Sequence, residues 1–287
     1  MYEINVLEDK YKIYEIRDND SDSWVKIAPE RGGIIIGYGV EGVEKLYLDK
    51  DTFYDENANI RGGIPILFPI CGKLENGRYS LEGNEYAMKN HGIARTRNWQ
   101  VIDKHVDKNS AFIKIQLDSD DITMKSYPFD FQVIFTYTLE NKCLKINQQY
   151  FNKSNKQMPV YVGFHPYFKA DNKNIKFNTD ATKYLDENDG KIKCYNGKLS
   201  LYGLVDSPIF LDSKQNNISF APINNGKNIF LEYSKEFKYI VLWSVEGKDF
   251  VCVEPWTALG NSMNTKNDLY YIKPMDSLEL FFNIKAF

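Results

Sequence analysis

The 287-residue sequence predicts an all-β fold, a sandwich or barrel, and three observations carry that expectation. Apolar and polar residues alternate with period two in many short runs. No helical repeat of comparable strength lies between those runs. Aromatic residues are abundant, at 20 Tyr, 18 Phe and four Trp, and flat side chains pack well on pleated faces.

Taken in order, Tyr11–Ile16 and Trp24–Ala28 read as strands joined by an Asp/Asn/Ser turn. Gly32–Val40 is a third, loosened by glycines; it lacks G-x-G-x-x-G and no helical pattern follows, so a dinucleotide site is poorly supported. Arg61–Lys73 holds two prolines and three glycines, which exclude a regular helix or a central strand, yet it is too apolar for a free loop. It is expected to run irregularly over the core and present its end residues to a site. Gly77–Tyr86 reads as two short strands around a Glu-Gly-Asn turn. The clearest strands follow. Ile113, Ile115 and Leu117 mark one; Phe131, Val133, Phe135, Tyr137 and Leu139 the next; Leu144, Ile146, Gln148 and Tyr150 the third, after the turn Glu140-Asn141-Lys142. His105 is assigned to a polar surface turn, Asp103–Asp107. Residues 169–228 are Asn/Lys/Asp-rich and are expected to be loops with short strands. Strand patterns return at Ile229–Tyr233, Tyr239–Trp243, Asp249–Glu254 and Ser277–Ile284. With no internal repeat and no sharp change of composition, residues 1–287 are expected to form one domain.

A net charge of −3 offers no electrostatic match to nucleic acid or an anionic membrane, so neither is an expected partner. The four cysteines, Cys71, Cys143, Cys194 and Cys252, form no C-x-x-C pair, which argues against a zinc ribbon or thioredoxin-type site. The Met1–Asn5 start lacks a basic region followed by an apolar run, and no apolar stretch reaches membrane-spanning length. A cytoplasmic protein with reduced thiols is expected. The oligomeric state is not legible.

Three stretches carry candidate chemistry. Val162–Phe168 sets His165, one of three histidines, among aromatic residues and before Pro166. Imidazole is suited to proton transfer near neutral pH, although a histidine at an apolar strand end is equally compatible with a core role. In Asp249–Ala258, alternation puts Phe250, Cys252 and Glu254 on one face. If that face points inward, Glu254 is carried into the interior beside Trp256, where desolvation raises a carboxyl towards base-competent values. Pro255 is expected to end regular pairing. In Asn90–Arg95, His91, a glycine and Arg95 lie close together, and Arg61 and Lys73 flank the irregular segment that could converge with them. A surface or structural role for either arginine is the alternative.

Together Arg61-Gly-Gly-Ile-Pro65, His91-Gly-Ile-Ala-Arg95, Gly163-Phe-His-Pro-Tyr-Phe168 and Glu254-Pro-Trp-Thr-Ala258 resemble the aldose 1-epimerase (galactose mutarotase) superfamily, in this order along the chain. The nearer likeness is to its LacX-like and hexose-6-phosphate epimerase-like branch. The resemblance spans residues 30–285 and implies a large antiparallel β-sandwich of the galactose mutarotase type. It implies that His165 acts as general acid on the sugar ring oxygen and Glu254 as general base on the anomeric hydroxyl. It further implies that His91 holds the sugar, and that Arg95 and Arg61 line the pocket and bind phosphate in the phosphosugar branch. Lys73 begins a Lys-Leu-Glu-Asn-Gly-Arg-Tyr run similar to the LacX-like proteins. An additional sugar-contacting aspartate of the classical enzymes has no single counterpart: Asp180, Asp186, Asp189, Asp206 and Asp212 all remain open.

The implied reaction suits these residue types. One group takes a proton from O1 while another delivers one to the ring oxygen; the ring opens, rotates about C1–C2 and closes on its other face. No cofactor or metal is required, and the expected partner is a small-molecule sugar or sugar phosphate. A glycoside hydrolase would need two carboxylates flanking the bond, whereas these motifs supply one. A non-catalytic carbohydrate-binding protein would need neither His165 nor Glu254 for proton transfer.

Overall fold

The strand Phe131–Glu140 illustrates how alternation becomes sheet: Phe131, Val133, Phe135, Tyr137 and Leu139 are buried and the residues between them half-buried. It turns through Asn141 and Lys142, both at positive φ (50° and 62°), and returns as Cys143–Asn152 with Phe135 opposite Gln148. Two consecutive left-handed residues are what a tight hairpin between twisted strands needs. The computed structural model describes residues 1–224 and 226–287.

This hairpin is the middle of an eight-stranded antiparallel sheet. Its order is Phe177–Asn178, Asn217–Phe220, Ile229–Tyr233, Ser277–Ala286, Cys143–Asn152, Phe131–Glu140, Ser110–Asp118 and Gln100–Val106. The first five N-terminal strands form a separate meander, of which Lys12–Asp18 packs on Ser110–Asp118 and Phe131–Glu140. A second eight-stranded sheet runs Lys191–Cys194, Lys183–Asp186, Pro208–Phe210, Tyr239–Trp243, Phe250–Trp256, Gly163–Phe164 and Ile66–Leu67, with Tyr167–Lys169 also on Phe250–Trp256. The two large sheets meet over an aromatic core. Phe164 of the second sheet lies 5.0 Å from Phe282 and 5.8 Å from Phe135 of the first, and Phe68 stacks on Tyr150 at 5.5 Å. The expected antiparallel β-sandwich is what the chain forms.

Arg61–Lys73 is irregular, as its prolines and glycines require, with only Ile66–Leu67 in a regular ladder. Two expectations are corrected. His105 is exposed but lies within the strand Gln100–Val106, because Val101 and Val106 pair it to Ser110–Asp118. Pro255 does not end pairing: Ile240 faces Pro255, Tyr239 faces Trp256, and Thr257 N–H still donates to Val162 at 2.9 Å. The proline removes a single N–H on the side facing Phe164, and the neighbouring bonds hold the strand. Three short helices, Lys50–Tyr54, Asp121–Ser126 and Ser262–Thr265, were not expected; the second is closed by a capping box in which Asp120 and Thr123 satisfy each other's backbone N–H groups. Among the described residues no helix is long and apolar enough to cross a membrane.

Candidate active site

Strand alternation splits the sequence Phe164-His165 between two faces: Phe164 enters the aromatic core, so His165 points to the opposite face of its sheet. The same rule on Phe250–Trp256 sends Val253 one way and Cys252 and Glu254 the other. Register then brings the two sites together. Gly163 faces Trp256 and Tyr167 faces Cys252, one continuous register on either side of His165-Pro166, so His165 lies directly across from Glu254. The backbone N–H groups of His165 and Tyr167 turn away to Pro65 and Gly63. Towards Phe250–Trp256 these are therefore non-hydrogen-bonded positions, where facing side chains come closest. His165 Nε2 lies 3.3 Å from Glu254 Oε1.

Glu254 is buried to 1% relative exposure and His165 is partly buried, yet among the described residues His165 Nδ1 and Glu254 Oε2 have no hydrogen-bond partner. Burial depresses the His165 imidazole to about 3, and the Arg95 and Arg61 charges push the same way. Burial raises the Glu254 carboxyl well above the ordinary range; the Trp256 indole beside it opposes that and the Glu187 charge adds to it. Both shifts favour the uncharged forms, a neutral imidazole beside a protonated carboxyl with one proton between them.

His91 closes the third side. Its ring stands edge-on to His165 at 5.4 Å and to Trp256 at 5.8 Å. Gly72 N–H donates to His91 Nδ1 at 3.0 Å while His91 N–H donates back to the Gly72 carbonyl. That bond assigns the ring hydrogen to Nε2, and burial keeps the ring neutral, with the His165 and Arg95 charges acting likewise. The tight turn needs left-handed backbone at both His91 (φ 64°) and Gly92 (φ 75°). A Cβ on Gly92 would lie 2.2 Å from the Phe68 carbonyl oxygen, so only glycine fits.

All six residues singled out in the sequence, Arg61, Lys73, His91, Arg95, His165 and Glu254, line one cavity of about 770 Å³. Arg61 is exposed and lies over the Trp243 ring at 5.0 Å, and Trp243 is edge-on to His165 at 5.6 Å. Arg95 is half-buried; one N–H reaches the Asn90 carbonyl at 2.8 Å, and its Nε has no partner among the described residues. Lys73 is exposed at the other side, where its charge acts on Glu187. Among the described residues no ion pair involves Arg61, Lys73 or Arg95.

The sequence reading missed Trp243 and Glu187, both of which line the cavity. Trp243 was within reach: Val241 and Trp243 alternate onto one face of a recognised strand. Glu187 lies in the Asn/Lys/Asp-rich region, where no periodicity marks it. Of the five open aspartates only Asp206 lines the cavity. Asp180 is taken by Ser213 and the backbone of Lys214, Asp186 and Asp189 by Lys193, and Asp212 by Thr182.

Comparison with known proteins bears on the family and the fold. The family described as Aldose 1-epimerase matches residues 14–266. The chain is 27% identical over 279 residues to the chromosomal LacX protein of Lactococcus lactis, covering 85% of this chain and 90% of that one. A shorter match, 25% over 150 residues, covers 52% of this chain and 46% of a Salmonella typhimurium protein provisionally named a glucose-6-phosphate 1-epimerase. Among solved structures, Slr1438 from Synechocystis sp. PCC 6803 superposes with a TM-score of 0.92 at 34% identity, covering 100% of this chain and 99% of that one. A galactose mutarotase-like protein from Clostridium acetobutylicum shares the fold at a TM-score of 0.81 and 20% identity, covering 100% and 98%. The chain therefore belongs to the aldose 1-epimerase family, on the side of its LacX-like and hexose-6-phosphate epimerase-like members.

Proposed function

We propose that this protein is an aldose 1-epimerase that interconverts the α and β anomers of a hexose, with residues 1–287 acting as one carbohydrate-binding domain. The observation that carries the reading is the His165–Glu254 pair, 3.3 Å apart, with the carboxyl buried and both groups lining a sugar-sized cavity. Mutarotation consumes no net proton. It needs one donor and one acceptor that exchange roles, and a pair sharing a single transferable proton supplies both. Glu254 as carboxylate takes the O1 proton while His165 as imidazolium protonates the ring oxygen. That tautomer follows from the neutral one by transfer across the Nε2–Oε1 contact. His91 Nε2–H offers a fixed donor to the sugar, and Trp243 and Trp256 supply apolar walls.

A second reading, a hexose-6-phosphate 1-epimerase, is favoured by the two arginines. C6 is attached to C5, the carbon that carries the ring oxygen. If His165 serves that oxygen, a 6-phosphate falls on the His165 side, where the Arg61 and Arg95 charges act and, among the described residues, no carboxylate pairs with them. A non-catalytic sugar-binding protein would also use these walls but gives no reason for a buried carboxyl in contact with an imidazole. Exchange NMR on a panel of free and 6-phosphorylated aldoses tests all three. Accelerated exchange of 6-phosphates above free sugars supports the phosphosugar reading. Binding without acceleration of any sugar overturns the enzyme.

A further inference from the structure

Cys252 stands two residues before Glu254 on the same strand face, directly opposite Tyr167 on one side and Trp243 on the other, and is fully buried. The donor atoms of His165, Cys252 and Glu254 all lie within 4.8 Å of one another, the one such group among the described residues. Proton transfer uses the histidine and the carboxylate and leaves the thiol without a task.

We propose that His165, Cys252 and Glu254 also form a binding site for a borderline-soft divalent cation, Zn²⁺ foremost, and that the bound ion shuts off anomer interconversion. Tetrahedral zinc with nitrogen, oxygen and sulfur bonds of about 2.0–2.3 Å sets its ligand atoms roughly 3.3–3.7 Å apart. The Nε2–Oε1 edge already meets this at 3.3 Å, and the thiol closes the remaining gap with a shift of about an ångström or less. Glu254 Oε2, buried and without a partner among the described residues, is a second oxygen available to the ion. His165 and Glu254 line the cavity, so the fourth position opens towards it and takes water or a sugar hydroxyl. The charges balance. The thiol gives up its proton and the His165–Glu254 pair gives up the one it shares, so Zn²⁺ meets one thiolate, one carboxylate and a neutral imidazole. Mg²⁺ and Ca²⁺, which prefer sets of oxygen ligands, do not suit a thiol-containing site. Inhibition rests on the proposed acid–base roles, because the ion takes the two atoms that carry the proton; binding itself does not depend on those roles.

The test uses the full-length protein carrying Cys194→Ser, which removes the exposed thiol and leaves the cavity untouched. Co²⁺ is titrated first as a spectroscopic stand-in, followed by anomer exchange with Zn²⁺, with Mg²⁺ as control and EDTA to reverse. The expected result is one Co²⁺ per chain with a thiolate-to-metal charge-transfer band, Zn²⁺ inhibition reversed by EDTA, and no Mg²⁺ effect. Adding Cys252→Ser should abolish the band and raise the Zn²⁺ inhibition midpoint by about tenfold or more, with exchange in the absence of metal within about threefold of the parent. Cys252→Ala serves if the serine variant does not fold. The proposal is overturned if the Co²⁺ complex lacks the thiolate band, or if loss of Cys252 leaves Zn²⁺ sensitivity unchanged. Failure of the parent to exchange any anomer would instead sink the proposed enzyme, and the cobalt spectrum would still decide the site.

Discussion

Replacing Glu254 with Gln separates a catalytic carboxyl from a structural one, because the two roles predict opposite effects on stability. Glutamine has nearly the same shape and keeps a polar atom near His165 Nε2, but it neither takes nor gives a proton at neutral pH. Removing one partner of an acid–base pair typically costs about 10²–10⁴ in rate. At about 1.4 kcal/mol per factor of ten, that is roughly 3–5 kcal/mol of barrier. Stability should move the other way. Glu254 is 1% exposed, has an unpartnered oxygen, and burial holds its carboxyl well above the ordinary value of 4.5. The folded chain therefore holds this proton more tightly than the unfolded chain does. The stability from that proton is complete below the unfolded value and is lost as pH rises towards the folded one, at about 1.4 kcal/mol per unit crossed. Glutamine does not titrate, so the variant should match or exceed the parent in Tm, and the difference should widen as pH rises above the carboxyl's ordinary 4.5. His165 contributes with the opposite sign, present above its ordinary 6.5 and lost as pH falls towards about 3, and does so in both chains. Exchange NMR and thermal unfolding across pH are the two assays. A variant that exchanges anomers at the parental rate, or one with a lower Tm at every pH, would refute the reasoning.

His165→Asn should lower the exchange rate by a similar factor of about 10²–10⁴ while sugar affinity by calorimetry stays within a few-fold; a large loss of affinity at an unchanged rate would assign His165 to binding. Arg95→Ala removes a cation without an ion-pair partner, and a lost charge-assisted hydrogen bond costs about 1.5–3 kcal/mol. Its kcat/KM for a hexose 6-phosphate should therefore fall about 10–150-fold more than for the free hexose, and equal losses would exclude a phosphate contact. Gly92→Ala forces a Cβ to within 2.2 Å of the Phe68 carbonyl at a left-handed position. It should cost about 1–3 kcal/mol of stability and raise KM by displacing His91; an unchanged Tm would show that the turn is not as rigid as the His91–Gly72 bonds imply.

The period-two pattern at Phe131–Leu139 and Leu144–Tyr150 was readable because each strand buries one face and leaves the other half-exposed, so every second residue is chosen by the core. The same alternation tied Cys252 to Glu254 before any partner strand was known. Pro255 was misjudged for a local reason with a tertiary answer: a missing N–H ends a ladder only if the neighbouring bonds do not hold it, and Tyr239–Trp243 and Val162 do. His105 was misjudged because a polar edge strand and a polar turn have the same composition.

Residue chemistry and the face each side chain takes were thus written locally, since both depend on the residue and its immediate neighbours. What lay outside local reach was register. Only the pairing of Phe250–Trp256 with Gly163–Phe164 and Tyr167–Lys169 sets His165 across from Glu254. Only the packing around them makes the contact dry enough to drive the two groups' proton affinities in opposite directions. Glu187, Asp206 and Trp243 join the cavity for the same reason: long-range pairing brings distant segments to one surface, and the aromatic core behind the sheet helps select the register that does so.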